Sequence, residues 1–218
     1  MVAERIGRNV VWRILHRGTQ VTYYAKFFAT QAAFDRQVLG LRLARGLCCE
    51  TPWLLVPEIE VADEPNKVIV VRSLPGRNVG ELLRDAYRLD RNPMNRKVPR
   101  DEIGRAIRKM VDCLQRFHRF SVQPDDRLAD HSFNGVAMRI QRWAEQLAAR
   151  NTRIDFGCIE KISRLADYCR CQIPQERAWV LGDPSLGNFM FDGTHLGVFD
   201  FEDIGIGEAA RDRFLLHF

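Results

Sequence analysis

Three side chains in the last third of this 218-residue sequence have the types and the spacing to hold a hard cation beside a reacting hydroxyl. Asp183 and Asn188 are separated by four residues, and Asp200 closes the second of two apolar runs, FMF and LGVFDF, that flank Asp192-Gly193-Thr194-His195. An Asp-Gly pair between apolar runs signals a hairpin. Antiparallel pairing then brings Asn188, just before the first strand, to Asp200, at the end of the second, with Asp183 on the entering loop. Mg²⁺ is bound through one or two carboxylates together with amide oxygens and substrate phosphates. Phosphoryl transfer needs a metal on the phosphates, a carboxylate near the attacking hydroxyl, and firm positioning. On this reading Asp183 orients and deprotonates the acceptor hydroxyl, while Asn188 and Asp200 hold Mg²⁺. The alternative is a surface turn rich in Asp and Asn.

Those residues need a scaffold, and the chain reads as one in two parts. NVVWRIL at 9–15 and VTYYAKFF at 21–28 flank the polar HRGTQ, a hairpin pattern. Over 31–45 the spacing turns helical, with Phe34, Val38 and Leu41 on one face, Thr30 placed as N-cap and Gly46 as stop. VPEIEVA and KVIVVR, separated by DEPN, predict two more strands. Leu74-Pro75-Gly76 ends that pattern. The segment 101–118 then carries Ile103, Ala106, Ile107, Met110, Val111, Leu114 and Phe117 on one helical stripe. Val136, Ile140, Trp143 and Leu147 form a second stripe, and Ile159, Ile162, Leu165 and Cys169 a third. AWVLGD runs from these into the turn-rich PSLGN and the hairpin. The expected fold class is α+β with two lobes: an antiparallel β lobe over 1–73 and a mainly helical catalytic lobe over 74–218.

LGDPSLGNFMFD followed by GVFDFEDIGIGEAARD resembles the catalytic stretch of the aminoglycoside phosphotransferase and choline kinase-like family. The family pattern is His-Gly-Asp, four residues, Asn, then an apolar hairpin ending in Ile-Asp-Phe/Trp-Glu. The resemblance is specific over about 178–212 and loose over the rest of the chain. It implies a protein-kinase-like fold and a kinase that moves the γ-phosphoryl group of Mg–ATP to a hydroxyl of a small molecule or glycan. By the same resemblance Lys26 matches the strand lysine that contacts the α- and β-phosphates. The residues agree: a lysine inside Tyr23-Tyr24-Ala25-Lys26-Phe27-Phe28 wants an anionic partner. An edge-strand lysine facing solvent is the other reading. Residues 71–75, with Ser73 at their centre, resemble the hinge whose backbone hydrogen-bonds adenine. His118 matches a histidine with a structural hydrogen-bonding role, and Asp212 reads as a capping residue.

The chain departs from the pattern at named positions. Gln37 stands where the resemblance places a glutamate paired with the lysine. An amide can hydrogen-bond an ammonium but supplies no charge, so Asp35 or another acid would have to substitute. Gln37 still counts with Lys26, Ser73, Asn188 and Asp200 among the nucleotide-site residues. Leu181 replaces a histidine that scaffolds the catalytic loop. About twenty-five residues precede Lys26, and Gly7 is the one glycine in the first fifteen, so the first strand and phosphate-covering loop are expected to be short or partly missing. The chain stops at Phe218, soon after Asp212, where resembling enzymes continue with helices of the acceptor pocket. It is either a compact variant or a shortened chain.

Composition narrows the field. Apolar residues are 46% and charged residues 28%, ordinary for a globular protein. A net charge of +5 suits anionic partners such as nucleotides, but the charges are spread out and form no aromatic-interleaved basic stripe, so no nucleic acid is expected. MVAERIGRNVV has no apolar signal core and VIVV at 68–71 is far too short for a membrane span. The six cysteines include a lone C-x-C, Cys169 and Cys171, with no second pair at zinc spacing. A cytoplasmic protein with reduced thiols is expected. Aminoglycosides are polycations that prefer an acidic pocket, which net +5 does not advertise; sugars, amino alcohols and lipopolysaccharide cores stay open. A non-catalytic kinase-like binding module is the competing reading. Gln37, Leu181 and the short ends favour it; the retention of Asp183, Asn188 and Asp200 opposes it.

Overall fold

Strands from the first 72 residues make one five-stranded sheet, antiparallel throughout. The computed structural model describes residues 2–6, 10–16, 18–87, 100–119, 128–150, 160–161, 164, 167–168, 171, 177–209 and 211–212. β1 (Val2–Ile6), β2 (Val11–His16), β3 (Val21–Phe27), β5 (Ile59–Asp63) and β6 (Val68–Arg72) lie in the order β1-β2-β3-β6-β5. The first strand, expected to be short or partly missing, is present: β1 pairs with β2 along its length, from Val2 opposite Leu15 to Ile6 opposite Val11.

Helix α1 (Gln31–Cys49) crosses beside this sheet. Thr30 caps it, its Oγ1 accepting from the N–H of Ala33 at 3.2 Å. Gly46 does not stop the helix, which runs on to Cys49. Leu47 explains this: it continues the buried stripe of Phe34, Leu41 and Ala44, so core packing holds the last turn. Gly40, in mid-helix, lets α1 approach closely; a Cβ there would lie 2.4 Å from the Cβ of Phe201.

The hairpin forms as predicted. β10 (Phe189–Phe191) pairs with β11 (Leu196–Val198), turning through Gly193 at φ +97°. Two short strands flank it, β4 (Leu54–Leu55) parallel to β11 and β7 (Arg77–Asn78) antiparallel to β10. A third sheet, β8-β12-β9, joins Ala129–His131, Gly205–Glu208 and Arg177–Val180.

The longer helices that follow are α2 (Val79–Tyr87), α3 (Arg100–Arg119) and α4 (Phe133–Arg150), and a 3-10 turn spans Leu186–Asn188. Ile103, Ala106, Met110, Leu114 and Phe117 of α3 pack with Phe189, Phe191, Phe201 and Ile204 in one core. Ile107 and Val111, expected on that stripe, are instead exposed, because the apolar arc of α3 is centred on Met110 and Cys113. On the second stripe Val136 and Ile140 are half-buried. The side chains of Trp143 and Leu147, and the whole third stripe, lie outside the described residues. Among the described residues no helix is long and apolar enough to cross a membrane.

Candidate active site

The loop that carries Asp183 is clamped before it begins. β9 ends at Val180, and the N–H groups of Leu181 and Gly182 both donate to Asp212, to Oδ2 at 2.9 Å and Oδ1 at 3.2 Å. Asp212 is fully buried and also bonds His118 Nε2 at 3.1 Å. Arg211 Nη2 donates to the carbonyl of Gly182 at 3.2 Å. Gly182 sits at φ +80°, and a Cβ there would run into the carbonyl of Asp203. These contacts fix the backbone so that Asp183 projects from a rigid base while its own side chain stays exposed.

Asn188 folds back on that loop. Its Nδ2 donates to the main-chain oxygen of Asp183 at 2.9 Å and to Oδ2 at 3.2 Å. Its carbonyl accepts from Phe199 N at 3.1 Å, which sets it across from the residue next to Asp200. The hairpin therefore assembles Asp183, Asn188 and Asp200 at its open end.

Asp200 occupies the left-handed region at φ +68°. For a non-glycine residue this costs on the order of 1–2 kcal/mol, although Asp and Asn tolerate it best. Neighbouring contacts hold the strained residue. The N–H of Phe201 donates to Gln37 Oε1 at 2.7 Å, Arg36 Nε donates to the Glu202 carbonyl at 2.6 Å, and the Phe201 ring is fully buried.

Lys26 reaches across from β3 to this segment. Its Nζ lies 2.7 Å from Asp200 Oδ1 and 2.9 Å from Glu202 Oε2, and 5.2 Å from the centroid of the Phe28 ring. Burial works against the lysine's charge, but Asp200 and then Glu202 outweigh it and raise the pKa above the ordinary lysine value. It is not an edge lysine facing solvent: β3 lies inside the sheet, between β2 and β6. A cleft of about 480 Å³ opens beside it, lined by Phe28, Ala33, Arg36, Glu202 and Asp203 among others.

The remaining expected residues fall as follows. Gln37 is buried and spends its side-chain oxygen on Phe201, and Asp35 accepts from Gln31 Nε2 on the exposed face of α1. Ser73 donates its N–H to the Thr22 carbonyl at 2.9 Å and its hydroxyl to the Leu74 carbonyl at 3.2 Å, fixing the link that follows β6. In the sequence Glu202 is only the last residue of the Asp-Phe/Trp-Glu motif, with no role of its own, and nothing marks His131. Glu202 stands two residues after Asp200, in a position readable only once Lys26 is seen to reach it. His131 lies on β8, in a segment with no periodic signal.

The donor set suits Mg²⁺. Asp200 offers a carboxylate, and the amide nitrogen of Asn188 is spent on Asp183, which leaves its oxygen as the group for a cation. Among the described residues no group of three or more His, Cys, Asp or Glu side chains could hold a metal by itself. Such a set fits an ion that arrives with phosphates and keeps its waters.

A family model described as the phosphotransferase enzyme family matches residues 8–217. No curated protein matches the chain. Among solved structures, the streptomycin–ATP–APH(2'')-IIa ternary complex gives a TM-score of 0.67 at 14% identity, covering 97% of this chain and 68% of that one. A choline/ethanolamine kinase family protein from Mesorhizobium loti gives 0.62 at 16% identity, covering 99% and 63%. An aminoglycoside-3'-phosphotransferase of type VIII gives 0.63 at 17% identity, covering 100% and 76%. At these identities the likeness is one of fold, and the chain spans 63–76% of the length of these three structures. The chain belongs to the phosphotransferase enzyme family and has the protein-kinase-like fold of the aminoglycoside phosphotransferases and choline/ethanolamine kinases.

Proposed function

We propose that this chain is an ATP-dependent kinase that transfers the γ-phosphoryl group of Mg–ATP to a hydroxyl of a small molecule or glycan. The observation that carries the reading is the meeting of Lys26 with Asp200, 174 residues away, at the open end of the hairpin that also holds Asp183 and Asn188. Lys26 binds the α- and β-phosphates, and Asn188 and Asp200 hold Mg²⁺, which neutralises charge on the phosphates. Asp183 accepts the proton of the acceptor hydroxyl as its oxygen attacks the γ-phosphorus in line and ADP departs. Ser73 and its neighbours form the hinge at the adenine edge, with the division between lobes at 73/74, and Gln37 supports the nucleotide site through Phe201. The reaction runs in the cytosol. The similar structure solved with streptomycin and ATP supports nucleotide use.

Gln37 keeps a second reading, a kinase-like module that binds without transfer, because its amide brings no charge to Lys26. One experiment separates the two: thermal unfolding with Mg²⁺ and ATP, followed by a screen of hydroxyl acceptors for ADP release. Ligand that binds only the folded state raises the melting temperature. A Mg²⁺-dependent rise with acceptor-dependent ADP release supports the kinase. A rise without transfer to any acceptor, or no rise at millimolar ATP, supports the binding module against the kinase.

A further inference from the structure

Two carboxylates hold Lys26, and the proposed chemistry leaves it only one of them. Asp200 and Glu202 contact Nζ at 2.7 and 2.9 Å, so in the metal-free protein they share the ammonium. A divalent cation on Asp200 draws that carboxylate's charge away from the lysine. Lys26 is only 18% exposed, and a largely buried ammonium without a full counter-charge is costly. Neither candidate on α1 supplies that charge: Gln37 is neutral and committed to Phe201, and Asp35 is bonded to Gln31 on the exposed side of the helix. Glu202 is placed for the role. Its carbonyl is tied to Arg36 and the preceding N–H to Gln37, so α1 pins the backbone from which its carboxylate reaches Lys26.

We infer that Glu202 is the positioning residue that keeps Lys26 paired and aimed at the nucleotide when Asp200 takes the metal. The charge partner of the lysine thus comes from the Asp200–Glu202 segment itself and not from helix α1. The inference rests on the nucleotide reading above.

The test is the affinity for ATP, by calorimetry, with Mg²⁺ and with a chelator, for wild type, E202Q, K26M and the double variant. Glu202 acts through Lys26, so E202Q weakens ATP binding about three- to tenfold with Mg²⁺, weakens it less with the chelator, where Asp200 still pairs the lysine, and adds little to K26M. Weakening as large with the chelator as with Mg²⁺ would show that Glu202 does not stand in for a metal-bound Asp200 and would overturn the inference. So would equal losses in the two backgrounds, or unchanged or tighter binding by E202Q. Wild type that binds no ATP at all would overturn the proposed function and this inference together, whereas wild-type binding indifferent to E202Q overturns only the latter. Far-UV circular dichroism of each variant confirms that the fold is kept.

Discussion

His131 Nε2 donates to the main-chain oxygen of Asp203, joining a buried ring to an exposed residue 72 positions further along the chain. Arg139 Nη2 contacts the other ring nitrogen at 3.1 Å; since a guanidinium can only donate, Nδ1 is the acceptor and Nε2 carries the proton. Gly182, Gly205 and Gly207 make the room, for a Cβ on any of them would fall within 2.7 Å of His131 atoms. The histidine thus lies between the loop that leads to Asp183 and the segment that follows Asp200. It takes up a scaffolding place near Leu181, where a histidine is otherwise expected.

His131→Ala should therefore loosen both loops. The carbonyl of Asp203 loses its donor and a cavity opens, at a cost of about 2–4 kcal/mol in stability. His131→Gln, which can still donate to Asp203, should recover part of that loss. Urea unfolding of the two variants measures it, and equal destabilisation would mean that volume matters and the bond does not.

Asp183 and Asp200 should separate binding from transfer. Asp183→Asn should abolish phosphoryl transfer and leave ATP affinity within about twofold. Asp200→Asn should weaken Mg²⁺-dependent ATP binding itself. Asparagine is the informative substitution at 200 because, like aspartate, it tolerates positive φ, whereas alanine would add strain unrelated to the metal. Isothermal calorimetry with a coupled ADP assay reads both.

Gln37 is expected to matter for stability more than for charge. Gln37→Leu strands the buried N–H of Phe201 and should cost about 1–3 kcal/mol. Gln37→Glu keeps an acceptor and should cost less, which chemical denaturation will rank. A reversed order would mean that Phe201 does not depend on this bond.

The hairpin turn has its own acid limit. Burial works against ionised Asp192, but the N–H groups of His195 and Thr194 and the His195 ring hold its pKa below the usual carboxylate value. A folded pKa depressed in this way contributes stability above the unfolded value, near 3.9, that is lost as pH falls through the folded one. Amide resonances of Thr194 and His195 followed down to pH 2 should report local loosening below about pH 3.9, and Asp192→Asn should remove that transition.

Much of this was legible in the sequence because it is written locally. The hairpin, its Asp-Gly turn, Thr30 as cap and, apart from Ile107 and Val111, the α3 stripe follow from spacing alone. What escaped depends on tertiary contact. Gly205-Ile206-Gly207 carries no strand signal of its own, yet it is a strand because glycines let it lie against β8. Gly46 reads as a stop, but the burial of Leu47 carries the helix past it. Glu202 reads as part of a motif, and its partner becomes visible only when β3 is folded over the hairpin.

The short strands beside that hairpin also bear on how the protein is made. Leu54 waits for Leu196, and Arg77 for Phe191, so the central sheet cannot close until the distant hairpin has been synthesised. The five-stranded sheet has all its strands within the first 72 residues and can pair while the ribosome is still translating. The candidate site, by contrast, waits for the hairpin of residues 189–198. Leu54, fully buried in the finished protein, is an exposed apolar residue on every nascent chain, and slow or stalled translation of the second half lengthens that exposure.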